Sequence, residues 1–312
     1  MDRSCSIAMI RLRCTGLAWV TALALAATLT LIPGTALPAS SSALPPLVSP
    51  SGNAHIPGKF IWFTLASSDA RAARRFYGRV FDWSFEPLRG SPEQYVVIRN
   101  EGKPIGALFR PVNSPSDRSA GRWLSFASVS NLEAALQRLT STGHGVLVPA
   151  TKLDGLGAHA VLRDPQGAIF GLLQSASGDP PDDPVPPGNF FWVDLYTRDV
   201  QAASQTYASL GLDVSQDTVS GDDRILLAAS GHARAGIMKL PDDSREPGLL
   251  PYVQVDDVPT TLARVRAAGG TVLREPDPSV LEGQLAVFAD PQGGVLGILS
   301  WPSTEDASGG AP

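Results

Sequence analysis

The chain has 312 residues, 43% hydrophobic and 18% charged, with a formal net charge of −5. That apolar share excludes a disordered chain, and the length suits about two domains. The negative charge and scattered basic residues argue against nucleic-acid binding through phosphate neutralisation. Both cysteines, Cys5 and Cys14, fall in the first segment. A disulfide scaffold, a thiolate zinc site and a cysteine nucleophile in the main body are therefore excluded.

Arg3, Arg11 and Arg13 precede an uncharged apolar run, Leu17 to Ile32, that ends at Pro33-Gly34. Gly34-Thr35-Ala36 fits the small-x-small rule, so residues 1–36 read as a signal peptide cleaved after Ala36,. The run is slightly short for a membrane span of about 20 residues. The alternative is a membrane anchor through uncleaved residues 17–32. Removing 1–36 takes away three Arg and one Asp, which moves the formal charge from −5 to −7. The expected mature protein is extracytoplasmic (periplasmic or secreted), acidic and cysteine-free, with no stable membrane insertion.

Residues 37–56 are Ser/Pro-rich and read as a disordered spacer,. A first body spans 57–177, and a proline-dense linker follows at 178–187. A second body spans 188–302, and 303–312 is a small, polar tail expected to be disordered. In the first body, a β-rich run at Phe60–Leu65 leads to Asp69 as a helix N-cap. Apolar residues at helical spacing follow: Ala73, Phe76, Tyr77, Val80 and Phe81,. Strands are expected at Tyr95–Arg99 and Ile105–Phe109. A second run at Leu124–Val129, the cap Asn131, a helix ending at Gly143, and strands at Ala158–Leu162 and Ile169–Leu173 complete the body,. The second body repeats this with runs at Phe190–Leu195 and Leu250–Val255, caps at Asp199 and Asp257, and a stop at Gly269–Gly270.

The two bodies are copies. PGKFIWFTLASSDARAARRFY (57–77) matches PGNFFWVDLYTRDVQAASQTY (187–207) at an offset of 130. LSFASVSNLEAALQRLTSTG (124–143) matches LPYVQVDDVPTTLARVRAAG (250–269) at an offset of 126, which carries through to DPQGAIFGLL (164–173) and DPQGGVLGIL (290–299). Matches of this length mean duplicated domains. Within each body two similar halves follow one another, so the chain holds four βαβββ units.

Paired βαβββ units, a first helix capped by Asp, and a closing D-P-x-G hairpin resemble the vicinal oxygen chelate superfamily. That superfamily includes glyoxalases, bleomycin-resistance proteins and extradiol dioxygenases. The resemblance covers 57–302 and implies an α+β fold. It implies two tandem glyoxalase/bleomycin-resistance-like domains, each curling eight strands into a half-open cup. It also locates the positions where metal-binding members carry their ligands. The first-strand positions are Trp62 and Trp192, with Leu124 and Leu250 in the second units. The position of a Glu after the D-P-x-G turn is taken by Gly171 and Gly297, and the mid-domain counterparts lie near Gly106–Ala107 and Gly236–Ile237. Indole, aliphatic groups and glycine bind no divalent ion. No metal and no cofactor are therefore expected.

Strand alternation puts Phe60, Trp62 and Thr64 on one face of the first strand, and Phe190, Trp192 and Asp194 on one face of its copy. If the resemblance holds, these faces line the cups, together with Phe126 and Gly171 in the first domain and Tyr252, Gln254 and Gly297 in the second. Aromatic walls with a few polar groups suit a small, partly apolar ligand. Asp194 is costly to bury unless it is paired. It is either a ligand-orienting carboxylate or general base, or a carboxylate satisfied by a neighbouring Arg or a backbone N–H at the sheet edge. His159 is the other weak catalytic candidate, against the alternative of a hydrogen-bonded wall residue. The leading expectation is an exported, metal-free small-molecule-binding protein whose ligand sits in the second cup. The alternatives are a metal-independent lyase, isomerase or hydrolase using Asp194 or His159, and a structural or interaction module with closed cups. The only partner expected besides the ligand is the chain itself, its two domains packing or pairing together.

Overall fold

Four times along the chain a β-strand runs into a helix whose first free N–H is taken by an Asp or Asn side chain. Asp69, Asn131, Asp199 and Asp257 accept from the amides of Ala72, Ala134, Ala202 and Thr260, each at 2.9 Å,. Gly143 and Gly269 stop the second helix of each domain with φ of 90° and 89°, a left-handed conformation that costs glycine little. The structure is a computed structural model describing residues 43–88, 95–111, 121–216, 224–240 and 246–300. The expected signal peptide and the tail from 303 lie outside the described residues.

The first domain runs β1 (Phe60–Ala66), α1 (Ala70–Phe81), β2 (Ser84–Pro87), β3 (Tyr95–Asn100) and β4 (Lys103–Phe109). It continues with β5 (Arg122–Ser128), α2 (Leu132–Ser141), β6 (Gly145–Leu153), β7 (Gly157–Arg163) and β8 (Ile169–Ser175). β1 pairs parallel with β4 and antiparallel with β5, giving the sheet order β2-β3-β4-β1-β5-β8-β7-β6. The second domain repeats the pattern with β9 (Phe190–Thr197), α3 (Val200–Ala208), β10 (Asp213–Gln216), β11 (Ile225–Ala229) and β12 (His232–Lys239). Then come β13 (Gly248–Gln254), α4 (Val258–Ala267), β14 (Thr271–Arg274), β15 (Leu285–Ala289) and β16 (Val295–Leu299), in the order β10-β11-β12-β9-β13-β16-β15-β14. Each domain is two βαβββ units joined through their first strands, as the duplication implied.

Apolar residues on the helix side of both sheets merge into one core that crosses between the domains. Phe63 of β1 stacks on Phe190 of β9 with ring centroids 3.9 Å apart. Phe76 of α1 meets Phe288 of β15 at 5.9 Å. Buried polar groups are tied across the same boundary. The Tyr77 hydroxyl donates to Asp290 and accepts from Trp123 Nε1, both at 2.9 Å, and Trp83 Nε1 donates to the Gly188 carbonyl at 2.7 Å. Asp164 and Asp290 close the two DPQG turns by accepting backbone N–H groups. The first turn also docks on the second domain, where Gln166 pairs with both the N–H and the carbonyl of Asp199. The cup faces carry separate, smaller apolar clusters.

Two sequence expectations need correction. The pairing of β1 with β5 shifts register between Phe60 and Trp62, and that of β13 with β9 shifts between Tyr252 and Val253. Each bulge inserts one unpaired residue and breaks the alternation. Phe60 and Phe190 therefore pack into the shared core, while Ile61 joins Trp62 on the cup side. The second correction concerns residues 43–56, read from their composition as disordered. They lie instead as a strap along the first domain. Leu44 is buried and its N–H donates to the Asp154 carbonyl at 2.7 Å. The Gly52 amide reaches Ser177, and the Ile56 amide reaches the buried carboxylate of Asp179. Two leucine side chains, Leu44 and Leu47, and a run of backbone donors hold the strap where Ser and Pro content suggested a free spacer.

Candidate functional site

The first cup is built from β1, β5, β7 and β8, with the β6–β7 turn folded over it. Trp62, Thr64, Phe126 and His159 line a void together with Tyr95, Phe109, Leu124, Leu153, Leu156 and Leu173. The void measures about 10 Å³, room for a single water,. Gly171 lies opposite Phe126 in the register, and a Cβ added there would sit 2.1 Å from the Phe126 ring. The missing side chain thus makes room for an aromatic ring laid across the strand. Tyr95 is partly buried, and the desolvation of its phenol raises the pKa, while the Trp62 indole N–H donated to its oxygen works in the other direction.

His159 is the one imidazole in this cup, 1% exposed and edge-on to Phe126 with centroids 6.1 Å apart. Its Nδ1 lies 3.1 Å from the Thr151 carbonyl. A carbonyl only accepts, so Nδ1 carries the proton. Burial lowers the pKa of the ring, the Thr151 bond opposing this in part. The neutral ring therefore offers Nε2 as an acceptor, and Nε2 has no partner among the described residues. Sequence reasoning had singled out His159, but it missed Tyr95, Leu153 and Leu156. The signal for Leu156 was present: Gly155 and Gly157 flank it with φ of 86° and 137°, a tight turn that aims one large side chain inward.

The second cup has a different chemistry. Trp192, Asp194, Tyr252 and Gly297 come together as expected, Tyr252 pairing with Trp192 on one side and Gly297 on the other. A Cβ on Gly297 would lie 2.0 Å from the Tyr252 ring, repeating the glycine–aromatic arrangement of the first cup. Asp194, 1% exposed, accepts from Trp192 Nε1 at 2.7 Å and from Arg224 Nη2 at 3.0 and 3.1 Å. Tyr252 hydrogen-bonds both Asp194 and Tyr196; burial, then the Asp194 charge, raises its pKa. The carboxylate is thus paired with an arginine, one of the two roles open to it from sequence. Arg224 precedes β11 and carried no recognisable signal in the sequence. Gln254 stands apart at the end of β13, where its backbone pairs with Gly188 and Asn189.

Comparison with known proteins follows this geometry. The model of the Glyoxalase/Bleomycin resistance protein/Dioxygenase superfamily matches residues 189–297, and that of a glyoxalase-like domain matches residues 62–173. The chain belongs to this superfamily, as two tandem domains. Among its relatives, CFP32 of Mycobacterium tuberculosis, provisionally named a glyoxylase, is 27% identical over 242 residues, covering 76% of this chain and 93% of that protein. The anthracycline biosynthesis protein DnrV of Streptomyces peucetius is 26% identical over 260 residues, covering 78% and 93%. The fold is similar to that of a Mn(II)-bound glyoxalase from Novosphingobium aromaticivorans (TM-score 0.54, 18% identity, 78% and 82% covered). It is also similar to homoprotocatechuate 2,3-dioxygenase from Brevibacterium fuscum (TM-score 0.55, 14% identity, 81% and 84% covered).

The Mn(II) bound by the Novosphingobium aromaticivorans glyoxalase does not fit the residues found here. The matching positions carry Trp62, Leu124 and Gly171, and Trp192, Leu250 and Gly297, and aromatic rings fill the space beside both glycines. Among the described residues no three His, Cys, Asp or Glu side chains gather as a metal site would need,.

Proposed function

We propose that this protein is an exported, metal-independent member of the superfamily that binds a small, partly apolar molecule in an aromatic-lined cup, with the first cup as the principal site. The observation that carries this reading is the unpaired Nε2 of His159 beside an apolar void. A buried acceptor left without a donor costs about 1–3 kcal/mol, and a ligand that supplies the donor, giving up its own hydrogen bond to water, gains a net of about 0.5–1.5 kcal/mol. In the second cup the corresponding polar group, Asp194, already has Arg224 and Trp192 as partners. That is why the reading favours the first cup over the second, which the sequence had favoured.

A closed, purely structural cup is the competing reading, and the small size of the void speaks for it. Native mass spectrometry of freshly purified protein separates the two. A co-purifying or readily acquired small-molecule adduct that is reduced by His159→Leu is expected. Protein that stays adduct-free against a library of small aromatic and aliphatic compounds would sink the binding reading. The signal-peptide part of the proposal is checked separately: protein recovered outside the cytoplasm should begin Leu37-Pro38.

A further inference from the structure

The first cup is closed by a turn, and the turn is held down by a segment remote in sequence. Leu153 and Leu156 belong to the void's lining, and the residues between them, Asp154 and Gly155, lie against the strap. The Leu44 N–H donates to the Asp154 carbonyl, and the Leu44 carbonyl lies 1.9 Å from where a Cβ on Gly155 would be. Only glycine allows this approach, and its φ of 86° suits a tight turn,. Leu44 is 5% exposed and joins Trp62, Phe126 and Leu156 in one cluster, with Leu47 packed at its edge. Beyond Leu44 the strap is fixed to the end of β8 and the linker. The Val48 amide reaches Ser177 Oγ, His55 Nε2 lies 3.0 Å from the Ser175 carbonyl, and Asn53 donates to the Asp179 carbonyl. The strap is thus anchored at its far end and makes its contact with the lid through Leu44.

We infer that residues 43–48 gate the first cup by pinning the Leu153–Leu156 turn over it, and that the molecule admitted when they lift is a small apolar compound bearing one hydrogen-bond donor, such as a hydroxyl, taken by His159 Nε2. This rests on the binding reading above and adds to it a gate and a ligand chemistry. With the turn down, Leu153 and Leu156 occupy the mouth and leave space for one water; a ring-sized guest requires both leucines to swing out. The guest must be apolar because the walls are Trp62, Phe126, Leu124 and Leu173. It must bring a donor because the neutral imidazole, its Nδ1 proton committed to Thr151, has only a lone pair to offer,. An anion or a second bare acceptor would face that lone pair and bind poorly.

Phenol and toluene test both parts, being alike in size and different in one donor. Their binding to the full chain is followed by calorimetry and by tryptophan fluorescence, for the wild type, Leu44→Glu and His159→Leu. Leu44→Glu alters no residue of the void's lining, but it puts a charge where the Leu44 side chain is buried and so lifts the strap and loosens its backbone clasp on the turn,; phenol should bind it about tenfold more tightly than the wild type. Toluene should bind about three- to tenfold more weakly than phenol, the range of one neutral hydrogen bond. His159→Leu should abolish that preference.

Equal phenol affinity for wild type and Leu44→Glu would overturn the gate and leave the binding site standing. Equal affinity for phenol and toluene would overturn the donor chemistry. Binding of neither probe to any variant would overturn the binding reading itself. Thermal melts run alongside establish that Leu44→Glu folds. If it does not, Leu44→Ala carries the same comparison with a smaller expected gain, and amide exchange of Leu156 should quicken in it. Unchanged exchange there would refute the clasp.

Discussion

Replacing Asp194 by Asn tests whether the second cup is a paired structural site. The two side chains have the same shape, so packing is preserved and the charge alone is removed. Asp194 is 1% exposed and Arg224's side chain 16%, and the ion pair measures 3.0 Å. Removing one partner of a buried pair costs about 3–5 kcal/mol, because the other charge is left uncompensated. Arg224's residual exposure lets water reach the guanidinium, which brings the expected loss to the bottom of that range or just under it, about 2–3 kcal/mol,. In a chain of this size that lowers the melting temperature by about 4–12 °C. Urea titrations of the wild type, Asp194→Asn, Arg224→Met and the double variant would measure it. The double variant should be more stable than the sum of the single losses requires, by at least about 1 kcal/mol. A loss under about 0.5 kcal/mol for Asp194→Asn, or strict additivity, would refute the pairing argument.

Gly171→Ala should cost about 1–3 kcal/mol in chemical denaturation, because its Cβ would lie 2.1 Å from the Phe126 ring,; adding Phe126→Leu should recover part of the loss. Tyr77→Phe leaves Asp290 and Trp123 Nε1 without their shared hydroxyl, and about 1–3 kcal/mol of stability should go with it. A thermal melt unchanged by Tyr77→Phe would mean that the hydroxyl does not bind the domains together. For pH, burial lowers the pKa of His144 and His159, so the fold takes up protons on them at lower pH than the unfolded chain, which does so below about pH 6.5,. Their contribution is complete above that pH and is lost as the pH falls through it. Burial raises Asp164 and Asp290, whose protonation works in the opposite sense. Stability measured from pH 7.5 to 5.5 should therefore fall less steeply in His144→Leu/His159→Leu than in the wild type; an identical slope would contradict the assignment.

The fold was legible because its determinants are local or repeated. The caps Asp69, Asn131, Asp199 and Asp257 act on amides three residues away, and Gly143 and Gly269 stop helices by their own conformational freedom. The duplication then supplied the topology, since a second copy at constant offset marks the same strands twice. What escaped the sequence was set at long range. Nothing local in FIWFTLA or FFWVDLYT marks a bulge after the first residue, yet those bulges send Phe60 and Phe190 to the shared core. Composition likewise made 43–56 a spacer, because the groups that hold it, Asp154, Ser177 and Asp179, lie more than a hundred residues away. Arg224 was invisible as Asp194's partner for the same reason.

The two cups show how a duplicated domain comes to divide its labour. The glycine opposite an aromatic residue is kept in both: Gly171 with Phe126, Gly297 with Tyr252. The difference arises two residues further along the first strand. Thr64 in β1 is neutral and needs no counter-charge, so the first cup can remain apolar, with His159 as its one ring acceptor. Asp194 in β9 brings a charge that must be matched, and Arg224, Trp192 and the Tyr252 phenol converge on it. Once those partners are in place both oxygens of the Asp194 carboxylate are engaged, and the Tyr252 ring has become part of the same network. Two differences between the copies, Thr64 against Asp194 and His159 against Leu285, thus give the second cup a paired carboxylate and the first an imidazole acceptor. The strap then matters on the side where it lies, because there it covers the His159 acceptor.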